Sequence, residues 1–418
     1  MEPYDAIVIG GGPAGMMSAI VMAQRGLRVL IVERNKLLGR KLRITGKGRC
    51  NITNDCDFDT LIHNICQGGK FMYSSLRTFS NHDLIDFFNS NGLATVTERG
   101  GRVFPASQKA YDVAELLGNI IRNLKIPVLY ECHVDKFCLS QESNTTTSIC
   151  SVFATACGKK REIPCKAVVL ATGGITYPRT GSTGDGYTLA KQVGHTIVTP
   201  RPSLVALKCR EKSICASLEG LSLKNVSVRL ERAEKPVFED FGEMVFTDNG
   251  VSGPLILSSS RHFEPDMSYS LVIDLKPGLT EQQLDTRILN DFSKYDKKDF
   301  VNALDDLLPK RLIHIVVDRS GIPARQKVSG ITREQRMKLL RVLKHFTLTP
   351  IETASVDQAI ITAGGVQLSE INPKTMNSKL CPNLYFAGEI IDVDCYTGGY
   401  NLTVAFSTGY CAGTYLNA

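Results

Sequence analysis

Over the first two hundred residues, short unbroken apolar runs alternate with amphipathic stretches. Ala6–Gly10 and Arg28–Glu33 read as buried parallel strands. They flank a helix rich in small residues, Gly15–Arg25, which makes one βαβ unit of ordinary length. Amphipathic periodicity predicts helices over Asp83–Asn91 and Ala110–Leu124. Strands are expected over Val128–Leu139 and Ile149–Ala156, joined by the polar loop Gln141–Ser148, with a further short strand at Ala167–Ala171. From about Thr199 the character changes. Val205–Lys208, Val226–Leu230, Met244–Phe246 and Tyr269–Leu275 are short strand-like pieces between turn residues, a pattern that suits a small β-barrel or meander. Thr280 with Gln283 and Thr332 with Gln335 are capping boxes that open helices, the second stopping before Pro350. Gln358–Thr362 and Leu384–Phe386 return to buried strands, and Asn401–Tyr410 to a helix. The expected organisation is an α/β domain split between residues 1–198 and 351–418, with a β-rich insert at 199–275 and a helical insert at 276–350.

Composition narrows the class. Hydrophobic residues at 43% and charged residues at 22% suit a globular protein. The apolar run Ala6–Ala23 is broken by glycines and a proline and follows no basic residue, so it fits neither a signal peptide nor a membrane span, and cytoplasmic residence is the default expectation. The 13 cysteines are odd in number and include no Cys-x-x-Cys pair, so they read as small buried hydrophobes in a reducing compartment, and no metal site is expected. The net charge of +7 invites a nucleic-acid reading. Arg34, Lys36, Arg40, Lys41, Arg43, Lys47 and Arg49 form a run without an acid, and setting them aside leaves cations and acids equal at 42 each. The positive potential is therefore read as local, better matched to a pyrophosphate than to a nucleic-acid backbone.

Four clusters carry the chemistry. The first is Gly10-x-Gly12-Pro13-Ala14-Gly15 between a strand and a helix. Gly10 permits the tight turn, Gly12 lets the backbone approach a pyrophosphate, and Gly15 lets helix and strand pack, with the helix N-terminus facing the phosphates. Glu33 follows at the end of the second strand, where a carboxylate can accept ribose hydroxyls and disfavours a 2′-phosphate. The second is the basic, glycine-containing run Gly39–Asn54, with Arg40, Lys41, Gly48, Arg49, Cys50 and Asn51 as candidate contacts beside Arg34. The third is Ala171-Thr172-Gly173-Gly174, continuing through Tyr177 to Gly186, with five glycines in the fourteen residues from Gly173 to Gly186, which implies repeated turns or close packing. The fourth is Gly388-Glu389, Asp392 and then Gly398-Gly399-Tyr400-Asn401 opening a helix, whose N-terminus can stabilise developing negative charge.

Together these clusters resemble the bacterial flavoproteins that include aminoacetone oxidase and the flavin reductase of the bile-acid 7-dehydroxylation pathway. The resemblance continues through Thr247…Gly250-x-Ser252-Gly253-Pro254 and Thr362-Ala363-Gly364-Gly365-Val366, and spans nearly the whole chain. It implies a Rossmann-like domain binding FAD rather than NAD, the two inserts covering the flavin, and, by analogy with related two-dinucleotide-type flavoproteins, the backbone of Val134 meeting the adenine. Many relatives carry a histidine where this chain has Asp248, which is read as capping a turn, with a role in substrate binding as the alternative, and a glycine near Cys395, which is read as buried filler, with a redox role beside the flavin loop as the alternative.

No second Gly-x-Gly-x-x-Gly opens a βαβ unit, so NADH or NADPH is expected to visit the flavin only transiently. The favoured activity is then an NAD(P)H-fed reductase of a conjugated enone, which the resemblance makes a 3-oxo steroid or bile-acid intermediate, with Tyr177 and Tyr396 as candidate proton donors. The alternative is a flavin amine oxidase that makes hydrogen peroxide. A third reading is an RNA-binding or RNA-modifying flavoprotein, which the neutral remainder of the chain argues against. The expected partner is a small-molecule substrate, with neither membrane nor nucleic acid.

Overall fold

A computed structural model describes residues 2–141 and 147–417, so most of the polar loop expected over Gln141–Ser148 lies outside the described residues. The chain divides into two compact units, residues 1–202 with 359–418, and residues 203–358.

In the first unit, β1 (Tyr4–Ile9), α1 (Pro13–Gln24) and β2 (Val29–Val32) form the expected βαβ unit. Then follow α2 (Ala110–Asn123), β3 (Val128–Leu129), β4 (Cys132–Gln141), β5 (Thr147–Ala156) and β6 (Lys159–Leu170). The C-terminal segment adds β7 (Leu384–Phe386) and α3 (Tyr400–Tyr415). The strands make one sheet in the order β3-β2-β1-β6-β5-β4, with β7 also paired to β6. β3, β2, β1, the end of β6 and β7 run parallel, and the apolar runs Ala6–Ile9, Val29–Val32, Ala167–Leu170 and Leu384–Phe386 are buried, while β3 at the edge is only partly so.

Three strand expectations are corrected. Val128–Leu139 is not one strand: the chain breaks at Tyr130–Glu131, with Glu131 at φ +50°, so that β3 pairs parallel to β2 while β4 pairs antiparallel to β5. Ala167–Ala171 is the end of a strand of 12 residues. Its first half, Lys159–Pro164, is mostly charged and pairs antiparallel with β5, whereas Ala167–Leu170 pairs parallel with β1. Only the second half is buried on both sides, so only it announced itself by hydropathy. Gln358–Thr362 shifts to a strand at Ile361–Val366 preceded by a 3-10 turn at Val356–Gln358.

α1 is buried from Ala14 to Met22, which explains an apolar character without a polar face. It crosses α3 through small residues. A methyl at Gly409 would overlap the carbonyl oxygen of Ala14, and one at Gly413 would lie 2.7 Å from that of Ser18. The two backbones therefore meet, which fixes the Gly12 turn relative to the C-terminal helix.

A buried polar chain fastens the same unit. His195 Nδ1 lies 3.0 Å from a Glu370 carboxylate oxygen and Nε2 lies 2.7 Å from Ser378 Oγ. The order acid–imidazole–hydroxyl is that of a hydrolytic relay, but Ser378 is buried and its oxygen already accepts the N–H groups of Leu380 and Cys381. Its one proton is then left for Nε2, so His195 is neutral and donates from Nδ1. Burial pushes the His195 pKa down, against the upward pull of Glu370. For a histidine depressed in the folded state, the unfolded chain takes the proton first, so stability is full above the ordinary value of 6.5 and is lost as pH falls below it. The urea midpoint should therefore drop between about pH 6.5 and 5, and His195→Gln should flatten that part of the profile; an equally steep profile in the variant would remove His195 as the cause.

Residues 203–358 form an antiparallel sheet of seven strands. Its order is Phe346–Leu348, Tyr269–Asp274, Ser222–Arg232, Lys235–Phe246, Gly250–Ser252, Leu207–Cys209, Pro350–Thr353. Helices Glu281–Lys294, Lys310–Ser320 and Arg333–Lys344 share one core with it, including Phe246, Leu271, Leu284, Val316 and Leu339. Both capping boxes form, Thr280 with Gln283 and Thr332 with Gln335. Asp248 is exposed in the turn between Lys235–Phe246 and Gly250–Ser252. Among the described residues no helix is long and apolar enough to cross a membrane, and no cluster of three or more His, Cys, Asp or Glu could hold a metal ion.

Candidate active site

The first glycine cluster has three different local geometries. Gly10 sits at φ +107°, and a Cβ there would strike the carbonyl of Ala171 at the end of β6. A Cβ on Gly15 would overlap the carbonyl oxygen of Gly10, so this residue brings helix and turn into contact. Gly12 is the opposite case: nothing lies within 4 Å of the place a Cβ would take. It is the N-cap of α1, makes no side-chain cap, precedes Pro13, and no acid occupies the first turn. Helix α1 thus begins at an uncrowded N-terminus with no side-chain cap and no acid, at the positive end of a helix dipole, the arrangement an anion requires.

Glu33, buried at 6% exposure, pins this turn. One carboxylate oxygen accepts from the Gly11 N–H at 2.7 Å and the other from the Asn35 N–H at 2.7 Å and its side-chain amide at 2.6 Å. Its one remaining lone pair, on the oxygen that accepts from Gly11, is available to a ribose hydroxyl. Asn35 also donates to the Thr180 carbonyl at 2.9 Å, tying the glycine-rich 171–186 loop to the end of β2. Nothing in the sequence singled out Asn35. Val134 is buried in β4, and that strand begins beside Glu33, whose carbonyl accepts from the Cys132 N–H at 3.0 Å.

The basic run is largely neutralised by acids from elsewhere. Arg34 pairs with Asp185 at 2.7 Å, Lys36 with Glu131 at 3.7 Å, Lys41 with Glu389 at 2.7 Å, Arg43 with Glu115 at 3.4 Å, and Arg49 with Glu98. Arg40 donates to Asn35 Oδ1 at 2.9 Å. Lys47, exposed and at φ +56°, has no ion pair among the described residues. Cys50 occupies a buried left-handed turn, where burial pushes its thiol up to about 12 and leaves it unreactive.

Glu389 joins three distant segments. It accepts from Lys41 Nζ, from Thr176 Oγ at 3.1 Å and from the Thr362 N–H at 2.7 Å. Lys41 also donates to Thr176 Oγ at 2.9 Å, and its Nζ lies 5.9 Å from the ring centroid of half-buried Tyr177. A Cβ on Gly174 would overlap Thr362 Oγ, which accepts from the Ile175 N–H at 2.8 Å. Thr176 was missed by the sequence reading because an isolated threonine carries no pattern.

At the start of α3, Gly399 is the N-cap at φ +107°, and its Cβ would strike the Thr53 carbonyl. Asn54 donates to the Gly398 carbonyl at 3.1 Å, and the hydroxyls of Thr53 and Thr403 are 2.7 Å apart. The Asn401 amide is used locally, donating to the Cys395 and Tyr396 carbonyls while its oxygen accepts from the Cys395 N–H. Gly388 donates its N–H to Thr408 Oγ at 2.9 Å. Asp392 is buried, with Gln67 Nε2 donating to it at 3.3 Å. Burial raises the Tyr400 phenol to about 12 and the Cys395 thiol well above its usual range. Tyr396 is half-buried in the loop before α3.

Among the described residues, the buried atoms Asn51 Oδ1 and Thr172 Oγ in these clusters find no protein partner. Buried polar groups are normally satisfied, so each points to a polar ligand. With the open face at Gly12 and the Glu33 carboxylate, the residues present fit a dinucleotide.

The family model described as HI0933-like protein Rossmann domain matches residues 4–415. The chain is 32% identical over 412 residues to the 3-dehydro-bile acid delta(4,6)-reductase of Clostridium scindens, with 97% of each chain covered. It is 30% identical to the ribosomal RNA dihydrouridine synthase of Haemophilus influenzae, covering 99% of this chain and 98% of the other. Among solved structures, 3-ketosteroid delta1-dehydrogenase from Sterolibacterium denitrificans matches in fold with a TM-score of 0.54 at 13% identity, covering 99% of both chains.

Proposed function

The chain belongs to the HI0933-like Rossmann family of FAD-dependent oxidoreductases, and from that premise we propose that it reduces a carbon–carbon double bond conjugated to a carbonyl, with a 3-oxo steroid or bile-acid enone as its small-molecule substrate and NADH or NADPH as transient electron donor. The observation that carries this reading is the end-to-end similarity to a reductase named for such a bond, at 32% identity.

When bound, FAD supplies a carrier that takes up two electrons as hydride and passes them to the electron-poor carbon of the enone. The chain's own groups do the rest. The first turn of α1 and the open face at Gly12 hold the pyrophosphate, and Glu33 holds the ribose. Arg34, Arg40, Lys41 and Arg49 act mainly through their protein partners, shaping the loops around the cofactor rather than neutralising it. Asn51, Thr172 and the N-terminus of α3 offer the polar and electropositive surroundings that a reduced ring needs. Tyr177 or Tyr396 delivers the proton that accompanies the hydride.

A second reading has its own support. The 30% identical relative is named for making dihydrouridine, and the uracil bond saturated in that product is also conjugated to a carbonyl. The pairing of six of the seven cations in the 34–49 run with side chains of this protein weighs against that run as an RNA contact.

Anaerobic flavin photometry tests the proposal. NADH or NADPH should bleach the flavin, and a 3-oxo-Δ4 steroid should restore its colour without peroxide, while unmodified ribosomal RNA leaves it bleached. Colour returning with RNA alone would transfer the assignment to the second reading, and fast return with air plus peroxide would make the enzyme an oxidase. Phenylalanine at the tyrosine that donates the proton should slow the enone step and leave bleaching by the nicotinamide unchanged.

A further inference from the structure

The β4–β5 hairpin carries two thiols that none of the preceding chemistry uses. Its register shifts by one between Cys138, which pairs with Ser151, and Leu139, which pairs with Ile149. Cys150 is thus the extra residue of a bulge, and bulges re-aim side chains. Here Cys150 is turned back onto its neighbour: its thiol donates to the Cys138 carbonyl oxygen at 3.4 Å, which sets the two cysteines side by side on adjacent strands. Cys150 is exposed, Cys138 is half-buried, and both are free thiols. Cys209 and Cys215, by contrast, are both fully buried and closed to reagents. Cys165 follows on the adjacent strand β6, where Pro164 pairs with Ser151, but it is buried beneath the pair.

We propose that Cys138 and Cys150 form a chelating dithiol site for a soft, thiophilic centre, of which a trivalent organoarsenical is the chemical type. Two adjacent sulfurs suit such a centre because its organic substituent takes the third position. A metal ion wanting three or four protein ligands has no set to use, since no such cluster occurs among the described residues. In the reaction with phenylarsine oxide, both S–H bonds break and two As–S bonds form. The two protons leave with the oxide oxygen as one water, arsenic stays trivalent, and no oxidant or reductant is consumed. Chelation by two thiols survives competition from a monothiol and yields to a dithiol, which separates it from simple thiol capping.

The test uses the full-length, FAD-loaded protein and intact-mass spectrometry after phenylarsine oxide treatment. One arsenical per chain is expected, resisting excess 2-mercaptoethanol and released by dithiothreitol. Cys138→Ser and Cys150→Ser should each abolish the resistant adduct, while Cys66→Ser retains it. Flavin bleaching by the nicotinamide should be unchanged in all three variants. A resistant adduct that survives in either hairpin variant, or an adduct of the parent protein that 2-mercaptoethanol removes, overturns the assignment.

Discussion

A Gly12→Ala variant should fold like the parent yet hold FAD roughly ten- to a hundredfold more weakly, while Gly15→Ala should lose the fold and the flavin together. The two glycines are three residues apart in one motif, but they meet different surroundings. Gly12 has φ −78° and ψ −178°, which any residue adopts, and its Cβ would enter open space. The protein alone gives the methyl nothing to strike, so apo stability should not move. The bound pyrophosphate would be displaced, and forcing a methyl into a close contact costs about 1–3 kcal/mol, which is one to two orders of magnitude in affinity. At Gly15 the methyl overlaps the Gly10 carbonyl oxygen, a backbone atom fixed by the sheet. The turn, α1 and the α1–α3 crossing must all shift, at a cost of at least about 3 kcal/mol. Urea unfolding of the apo proteins and FAD titration of each separate the two effects. Unaltered FAD affinity in Gly12→Ala would move the pyrophosphate away from this turn.

Glu389→Ala should be the most damaging side-chain truncation in the site, at about 3 kcal/mol of stability with loss of retained flavin. Breaking a buried ion pair typically costs 3–5 kcal/mol, and the low end applies because Lys41 and Glu389 keep about a fifth of their side-chain surface, 20% and 22%. Removing the carboxylate strands Lys41 Nζ, the Thr362 N–H and the Thr176 hydroxyl together. Glu389→Gln keeps an acceptor for the Thr362 N–H and should cost less. Adding Lys41→Met to Glu389→Ala should recover part of the loss, because the stranded cation is gone. A double variant no more stable than Glu389→Ala alone would show that the pair is not what joins these segments.

How much of this was legible in the sequence differs between elements for physical reasons. The βαβ start was readable because parallel strands buried on both faces have no polar residues to disguise them. The charged first half of β6 was hidden by the same logic, since an outer antiparallel meander faces water. In the candidate site, the glycines were visible because turns and close crossings exclude Cβ atoms, and Gly10 and Gly15 stand where such crossings occur. The basic run was visible as charge, but its six partners, from Asn35 to Glu389, are scattered along the chain and only folding makes them neighbours.

The sequence by itself determined the dinucleotide-type turn, the acid at the end of β2 and the resemblance that carries FAD, because each depends on residues close together in the chain. Only the tertiary structure decided that the cations are largely neutralised, that Glu33 pins Gly11 and Asn35, that Glu389 gathers Lys41, Thr176 and Thr362, and that Cys150 turns back onto the Cys138 carbonyl. These are contacts between residues far apart in sequence or turned by a bulge. Hydropathy and spacing report how a segment meets its own neighbours, whereas charge pairing and hydrogen-bond satisfaction depend on which distant segment folding brings alongside.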